Sequence, residues 1–398
     1  MIIGDSESKI AKKEEKELEK IKDNFSESEN SFLRSLAEKD EKTIEKGHLL
    51  ESAASQGISS FNAERFFEAL VKNYSLAMQI YGDSFYRHLT GYDNNEIEKN
   101  IRLPEFQREL KEKIAQKIES LKWDGLIDNE ENVSEEGFEL GGISLLMEEL
   151  ENLASKSLSW GQKRQKYANP SGIKEYVKNF RRDRYRDIAM RSSIKKAVKR
   201  GHKILSKDDL MVHSREEYGE CDIIYALDAS GSMKGEKIRL CKKAGLALCY
   251  TALEDKNKVG LIVFSKDIKE KIMPTDNFSI LIKSFSKIMP KQETNIAITI
   301  KESISLFSPE AKIRHLVLIT DAMPTIGKDP ERTTIEASAF ARDNNVTISL
   351  VGIELTKEGK KLAEKLVEIG QGRLYAVKSL ENLDGIVLED YLYAVEGI

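Results

Sequence analysis

The chain has 398 residues, of which 40% are hydrophobic and 33% charged, and its formal net charge is −4 at pH 7. This composition predicts a charge-rich globular protein of one to three domains. No apolar run approaches the roughly 18 residues that a membrane helix needs, so we predict no membrane span. The first twenty residues are charged from Asp5 onward, which argues against a signal peptide.

The charge is unevenly spread along the chain. Residues 1–160 contain 21 basic and 34 acidic side chains, residues 161–207 contain 16 and 3, and residues 208–398 contain 26 and 30. The three cysteines form no C-x-x-C pair and are interpreted as small buried hydrophobic residues in a reducing compartment. We therefore expect a cytoplasmic protein with an acidic N-terminal part, a basic middle segment and a near-neutral C-terminal part.

Helical periodicity dominates the first half of the chain. Apolar residues recur at spacings of three and four around residues 61–70, Pro104 is expected to open a helix over 105–121, and residues 143–158 form another helical pattern. Gly125 and the acidic stretch 128–136 predict a loop. We predict an all-helical N-terminal region over residues 1–205, followed by a connector over residues 206–220.

A basic segment, residues 161–207, closes this helical region. Four arginines, Arg181, Arg182, Arg184 and Arg186, are interleaved with aromatic residues, a pattern that suits phosphate contacts and base stacking. Two other interpretations stay open. The segment could be a solvated face that balances the acidic half, or a docking surface for an acidic partner.

Strands alternate with helices in residues 221–398. Apolar strand patterns over 223–228, 259–264, 315–321, 346–353 and 373–377 are separated by helical patterns, and a short run near 268–272 predicts an edge strand. This alternation predicts an α/β fold with a doubly wound, mostly parallel sheet that is covered on both faces. Ligands of such sheets bind beyond the carboxyl ends of the strands, where the strand order reverses.

Oxygen-bearing side chains follow two of these strands. Asp228, Ser230 and Ser232 stand in the stretch D-A-S-G-S directly after the first strand, and Asp321 ends the strand over 315–321. Thr294 lies in a loop before a helix. Carboxylate and hydroxyl oxygens are hard donors that suit Mg²⁺ or Mn²⁺.

Together these five residues resemble the metal-ion-dependent adhesion site of von Willebrand factor A domains. In that family the pattern is D-x-S-x-S, then a threonine loop, then T-D-G or T-D-A. The resemblance implies that the five side chains hold a Mg²⁺ ion with one position open to an Asp or Glu of a partner protein. Many relatives have glycines before the threonine, whereas this chain has Gln292 and Glu293. Glu293 could therefore compete with an incoming carboxylate, or it could point into solvent.

Enzyme signatures are mostly missing from the sequence. There is no P-loop, no complete dinucleotide fingerprint, no G-x-S-x-G and no H-E-x-x-H, and no general base is evident beside the predicted metal. We therefore expect a protein that binds rather than catalyses, with no catalytic residues. A Mg²⁺-dependent hydrolase stays open as an alternative to a binding protein.

Residues 184–197, Asp208-Asp209-Leu210 and the strand before D-A-S-G-S-M are similar to the run into the A domain of magnesium-chelatase D subunits. They also resemble A-domain proteins that accompany MoxR-type AAA+ ATPases. This resemblance implies an adaptor that works with a separate AAA+ ATPase in metal insertion, or in the maturation or remodelling of a client with an exposed Asp or Glu. The competing class is an RNA-binding protein, because the Ro family also joins a helical region to an A domain.

Overall fold

The computed structural model describes residues 27–167, 176–179, 190–200, 221–290, 293–321, 329–377 and 380–396, together with 202, 206, 209–214, 324 and 326. The chain divides into two compact units. The first combines Met1–Ser155 with Glu220–Ile398, and the second is Lys156–Gly219.

The described N-terminal part of the first unit is helical, as predicted. Its helices are α1 (Glu27–Ala37), α2 (Glu41–Ser55), α3 (Ala63–Lys72), α4 (Tyr74–Tyr81), α5 (Asp83–Thr90), α6 (Asn94–Asn100), α7 (Pro104–Trp123) and α8 (Glu135–Tyr167), of which the residues up to Ser155 belong to this unit. Pro104 opens α7 as expected, because its fixed φ suits the first helical position and its missing N–H has no partner to lose there. Asn side chains cap α3 and α4 by accepting hydrogen bonds from backbone N–H groups.

Helix α8 begins earlier than the sequence pattern predicts. It begins at Glu135, inside the stretch expected to be a loop, and it contains Gly141 and Gly142, which were expected to precede the helix. A Cβ atom on Gly142 would lie 2.7 Å from the Cβ of Ser286, and one on Gly141 would lie 3.3 Å from the Glu51 nitrogen. Close packing, rather than a break in the helix, therefore explains the glycine pair.

The C-terminal part of the first unit contains a six-stranded, mostly parallel sheet with helices on both faces, as predicted. Its strands are β3 (Cys221–Asp228), β4 (Lys258–Phe264), β5 (Ile268–Thr275), β6 (Ile313–Thr320), β7 (Val346–Ile353) and β8 (Gln371–Val377). The order across the sheet is β5-β4-β3-β6-β7-β8. Strand β5 is the antiparallel edge, and every other pair is parallel.

Two hydrophobic clusters cover the two faces of this sheet. The flanking helices are α10 (Glu236–Glu254), α11 (Phe278–Lys287), α12 (Ile296–Leu306), α13 (Pro330–Asp343), α14 (Lys357–Gly370) and α15 (Leu383–Glu396). One cluster joins the sheet to apolar residues of α12, α13 and α14. The other includes residues of α10, α11 and α15. Strand β3 is buried along its whole length, because helices cover it on both faces.

The helical region shares the second of these clusters. Buried hydrophobic residues of the helical region, between Leu33 and Leu150, belong to the same continuous core as the buried residues of α10 and α11. The helical residues up to Ser155 therefore belong to the same compact unit as the sheet. The predicted division into 1–205, 206–220 and 221–398 stays a prediction. The sequence pattern identifies several of the amphipathic helices, but it does not indicate which surface each helix covers.

A network of partly buried charges also links the helical region to α10. The guanidinium of Arg239 pairs with Glu51 of α2 at 3.0 Å and with Glu148 of α8. The ammonium of Lys243, which is 7% exposed, pairs with Glu148 and Glu149 at 3.1 and 3.6 Å. Burial of so many charges is tolerated because each one faces an opposite charge.

The second unit contains a two-stranded sheet that the sequence analysis did not predict. Strand β1 (Tyr176–Asn179) pairs antiparallel with β2 (Met211–Ser214), and α9 spans Met190–Lys199. Part of the predicted basic segment and part of the predicted connector are therefore hydrogen-bonded to each other. The Asp209 carboxylate accepts hydrogen bonds from Ser206 and lies 2.7 Å from the Nδ1 atom of His202. His202 and Ser206 hold the pKa of Asp209 well below its usual range.

Within the described residues, no helix is both long enough and apolar enough to cross a membrane. Cys221, Cys241 and Cys249 are free and buried, as predicted.

Removal of the Arg239 guanidinium should destabilise the protein strongly. In Arg239→Met, the buried carboxylate of Glu51 loses its closest described cation, so the free energy of unfolding should fall by roughly 3 kcal/mol. The matched control is Arg332→Met, which removes an exposed pair with Glu336 within α13 and should cost less than about 0.5 kcal/mol. Urea denaturation measures both values. Equal losses in the two variants would contradict a role for the network in holding the helical region on α10.

Candidate metal centre

The candidate residues lie at the carboxyl edge of the sheet, where the strand order reverses. The chain runs from β3 to β4 on one side, whereas β6 lies on the other side of β3. Asp228 ends β3 and Asp321 directly follows β6, so the two carboxylates stand at neighbouring strand ends. This crevice is where the architecture is expected to bind ligands.

Asp228 is fully buried, and its carboxylate is fixed from two sides. Leu227 lies opposite Ile319 in the register of β3 and β6, so the residues that follow them, Asp228 and Thr320, are also adjacent. The Thr320 hydroxyl donates to Oδ2 of Asp228 at 2.6 Å, and the Ser230 backbone N–H donates to Oδ1 at 2.9 Å. Thr320 was not predicted as a site residue. Its signal in the sequence is its place directly before Asp321 at the end of an apolar strand.

Burial raises the pKa of Asp228 to about 6, because it disfavours the charged carboxylate. The hydrogen bonds from Thr320 and Ser230 oppose this shift, whereas the negative charge of Asp321 adds to it. Asp321 is therefore close enough to act on Asp228. A divalent cation between the two carboxylates would favour their charged forms.

The two serines follow Asp228 in a short 3₁₀ turn. Their hydroxyl oxygens lie 3.0 Å apart. Ser230 is 2% exposed, whereas Ser232 stands in an exposed position. Met233 holds the turn in place, because it is fully buried and donates its backbone N–H to the Ser230 carbonyl oxygen. Ser230 therefore lies in the interior, and Ser232 lies on the solvent-exposed side of the loop.

The threonine loop reaches the same edge of the sheet. The Asn295 backbone N–H donates to the carbonyl oxygen of Ser265, the residue directly after β4, at 2.8 Å. On the neighbouring strand, the Ala229 N–H donates to the Phe264 carbonyl oxygen at 2.7 Å. These bonds bring the threonine loop and the serine loop to adjacent strand ends. Thr294 is buried there, at 4% exposure.

Glu293 has a positive φ of 58°. Its carboxylate lies 3.5 Å from the Lys266 ammonium, and both side chains are more than half exposed. Glycine adopts this left-handed conformation without steric cost, which gives a physical reason for the glycines expected before the threonine. Whether Glu293 acts on a bound metal stays a prediction.

The donor set fits a hard divalent cation. It combines two carboxylates with hydroxyl oxygens at one edge, and Asp228 is held in place before any ion binds. In the described part of the chain, no group of three or more His, Cys, Asp or Glu side chains could hold a metal. A site here would therefore depend on its hydroxyl oxygens, as a Mg²⁺ or Mn²⁺ site can and a thiolate site cannot.

Comparison with known proteins identifies the domain that contains this edge. Residues 222–389 match the family model of the von Willebrand factor type A domain. These residues form a von Willebrand factor A domain. Such domains are commonly protein-interaction modules.

One curated relative is a protein of Acidianus two-tailed virus that is described as containing a VWFA domain. It is 26% identical over 195 residues, which is 45% of this chain and 20% of the relative. The chain thus matches about a fifth of that relative's length.

Solved structures similar to this chain include three proteins with low sequence identity. An aerotolerance-related membrane protein from Bacteroides fragilis has a TM-score of 0.36 at 20% identity, over 43% of this chain and 98% of its own. The pilus adhesin SpaC from Lactobacillus rhamnosus GG has a TM-score of 0.40 at 12% identity, over 44% and 30%. The vWF domain of a type V pili tip protein from Porphyromonas gingivalis has a TM-score of 0.38 at 12% identity, over 44% and 97%.

The predicted arginines lie outside the described residues. Arg181, Arg182, Arg184 and Arg186 all fall within 180–189. Their proposed role in binding an acidic partner or RNA stays a prediction.

Substitution of Glu293 by glycine should stabilise the fold. Glu293→Gly removes the steric cost of the left-handed conformation, and the free energy of unfolding should rise by roughly 0.5–1 kcal/mol. Glu293→Ala is the control, since alanine keeps that cost while it removes the same carboxylate. Urea denaturation in EDTA measures the free energy of unfolding of both variants without bound metal. A similar change in both variants would mean that the carboxylate, and not the backbone, determines the effect.

Proposed function

We propose that this protein is a non-catalytic, metal-dependent adaptor. Asp228, Ser230, Ser232, Thr294 and Asp321 would hold a Mg²⁺ or Mn²⁺ ion, and the ion would bind an Asp or Glu side chain of a partner. The observation that supports this most is the fixed, buried carboxylate of Asp228 below an exposed Ser232. The protein would cover one side of the ion and leave the other side accessible.

The surroundings of the site suit an acidic partner. Lys234, two residues after Ser232, and Lys266, which pairs with Glu293 beside Thr294, are both exposed. Positive charge beside the ion would steer a carboxylate towards it. Because few carboxylates would bind the ion directly, it would stay electrophilic and keep water molecules that a partner can displace.

We further propose that the partner system includes a separate AAA+ ATPase of the MoxR or chelatase type. This rests on the resemblance of the run into the A domain to magnesium-chelatase D subunits and MoxR-associated proteins. The chain has no P-loop of its own, so ATP hydrolysis would come from another chain. The client would be a cytoplasmic protein with an exposed Asp or Glu.

Asp228→Ala should abolish Mg²⁺ binding. Isothermal titration of Mg²⁺ into the full chain should give one site for the wild type and none for Asp228→Ala, because the buried carboxylate supplies fixed negative charge to the ion. The control Asp343→Ala removes an exposed carboxylate at the end of α13 and should bind as the wild type does. Far-UV circular dichroism in EDTA should show a folded protein for both variants. Unchanged affinity in Asp228→Ala would remove the site assignment.

RNA binding through the basic segment is the second candidate function. The observation that favours it is the sequence of residues 180–186, in which four arginines alternate with aromatic and acidic residues. The two functions respond differently to solution conditions. Binding of RNA through about ten basic residues should weaken steeply as salt rises, whereas adaptor binding through the metal should be lost in EDTA.

Reversal of three arginine charges tests the basic segment independently of the metal. In Arg181→Glu/Arg182→Glu/Arg184→Glu, binding of a single-stranded RNA, measured by fluorescence anisotropy at low salt, should weaken by a factor of 100 or more if this segment contacts phosphates. Binding of Mg²⁺ should be unchanged. If the variant binds RNA and a metal-dependent protein partner as the wild type does, the segment is a solvated face.

A further inference from the structure

The C-terminal end of α2 touches two of the loops that belong to the candidate metal centre. The Gly235 backbone N–H, three residues after Ser232, donates to the Ser55 carbonyl oxygen at 3.0 Å. On the other side, a Cβ atom on Gly57 would lie 3.4 Å from the carbonyl oxygen of Pro290, four residues before Thr294. Residues Ser55–Gly57, which we call the α2 wedge, therefore lie against both the serine loop and the threonine loop.

The side chain of Gln56 fills the space between two glycines. Its Nε2 atom lies 3.1 Å from the position of a Cβ on Gly235 and only 2.2 Å from that of a Cβ on Gly82. Gly82 precedes α5, in the helical region, whereas Gly235 precedes α10, in the A domain. A side chain at either glycine would push Gln56 towards the other element. The Gln56 amide therefore lies close to both Gly82 and Gly235.

A second contact joins the same elements. The Lys234 ammonium donates to the carbonyl oxygen of Ile80 at 2.5 Å, near the end of α4. Two consecutive residues directly after the serine turn, Lys234 and Gly235, are therefore hydrogen-bonded to the helical region.

An open space lies at the junction beside the wedge. A cavity of about 560 Å³ lies there, and its lining includes Met78, Asp83, Ser84, Arg87, Gly235 and Glu236. Side chains do not fill this space, whereas Phe85, Tyr86 and Leu89 anchor α5 in the main core.

We propose that the α2 wedge is a positioning element of the metal centre, so that metal affinity and the docking of the helical region are coupled. The inference rests on the proposed function, because it concerns the same metal. The wedge and Lys234 hold the serine loop in the geometry that places Ser230 and Ser232 beside Asp228. By linkage, metal binding must then stabilise the docked helical region to the same extent. A ligand or partner that moves α4 or α5 would change the affinity for the metal.

The glycines at the two ends of α5 provide a matched pair of variants. Gly82 and Gly91 both have positive φ values, 84° and 74°, and both lie outside the metal loops. A Cβ on Gly82 meets Gln56, whereas a Cβ on Gly91 has nothing within 4 Å. Both substitutions by alanine strain the backbone, but only Gly82→Ala displaces the wedge.

Titration of Mg²⁺ into the full-length variants measures the coupling. Gly82→Ala should weaken Mg²⁺ binding about ten-fold, and Gly91→Ala should leave it unchanged even if its thermal stability falls. Addition of Gln56→Ala to Gly82→Ala should restore part of the affinity, because the displaced amide is gone. If Gly82→Ala folds poorly, Gln56→Ala alone, which introduces no clash, should still weaken binding. Wild-type affinity in both Gly82→Ala and Gln56→Ala would overturn the proposal.

Hydrogen exchange of the wild type tests the reverse direction. Mg²⁺ should slow amide exchange at residues 55–57 and 80–90, and Asp228→Ala should show no such change. If the wild type binds no Mg²⁺, the proposed function itself fails. If it binds Mg²⁺ through Asp228 but exchange at residues 80–90 is unaffected, the metal site stands and only the coupling is wrong.

Discussion

The burial of one carboxylate at the end of the central strand is the constraint on which the rest of the structure depends. Asp228 is fully buried, and in the part of the chain that the structure describes its carboxylate accepts hydrogen bonds from Thr320 and Ser230. Burial and the negative charge of Asp321 disfavour the charged form of this carboxylate, which a bound cation would favour. This explains why hydroxyl oxygens, which are neutral donors, gather at the same edge.

The helical region packs against the domain that contains this site. Helices α2 and α8 cover α10 with a shared apolar core and a network of paired charges. The same packing places Ser55 against Gly235, which follows the serine loop, and Gly57 close to Pro290, which precedes the threonine loop. If the proposed metal binds at this edge, these contacts would connect it to a surface made by the helices.

Much of the A domain is predictable from local sequence. The apolar run that ends at Asp228 and the run that ends at Thr320 define neighbouring buried strands, and the helix after Gly235 follows from its apolar spacing. What could not be predicted depends on contacts between distant segments. Gly142 indicates a helix break in the sequence, but in the structure it lets α8 approach Ser286. Likewise, nothing local to Gln56 indicates that its amide packs against Gly235.

The most direct test of the central claim is the anomalous scattering of Mn²⁺ in crystals of the full chain. The account predicts one strong peak at the carboxyl edge of the sheet, roughly 2.0–2.3 Å from the Ser230 and Ser232 hydroxyl oxygens, with Asp228 and Asp321 beside it and an open position towards solvent. A peak elsewhere in the molecule, or none at this edge at a saturating concentration of Mn²⁺, would contradict it.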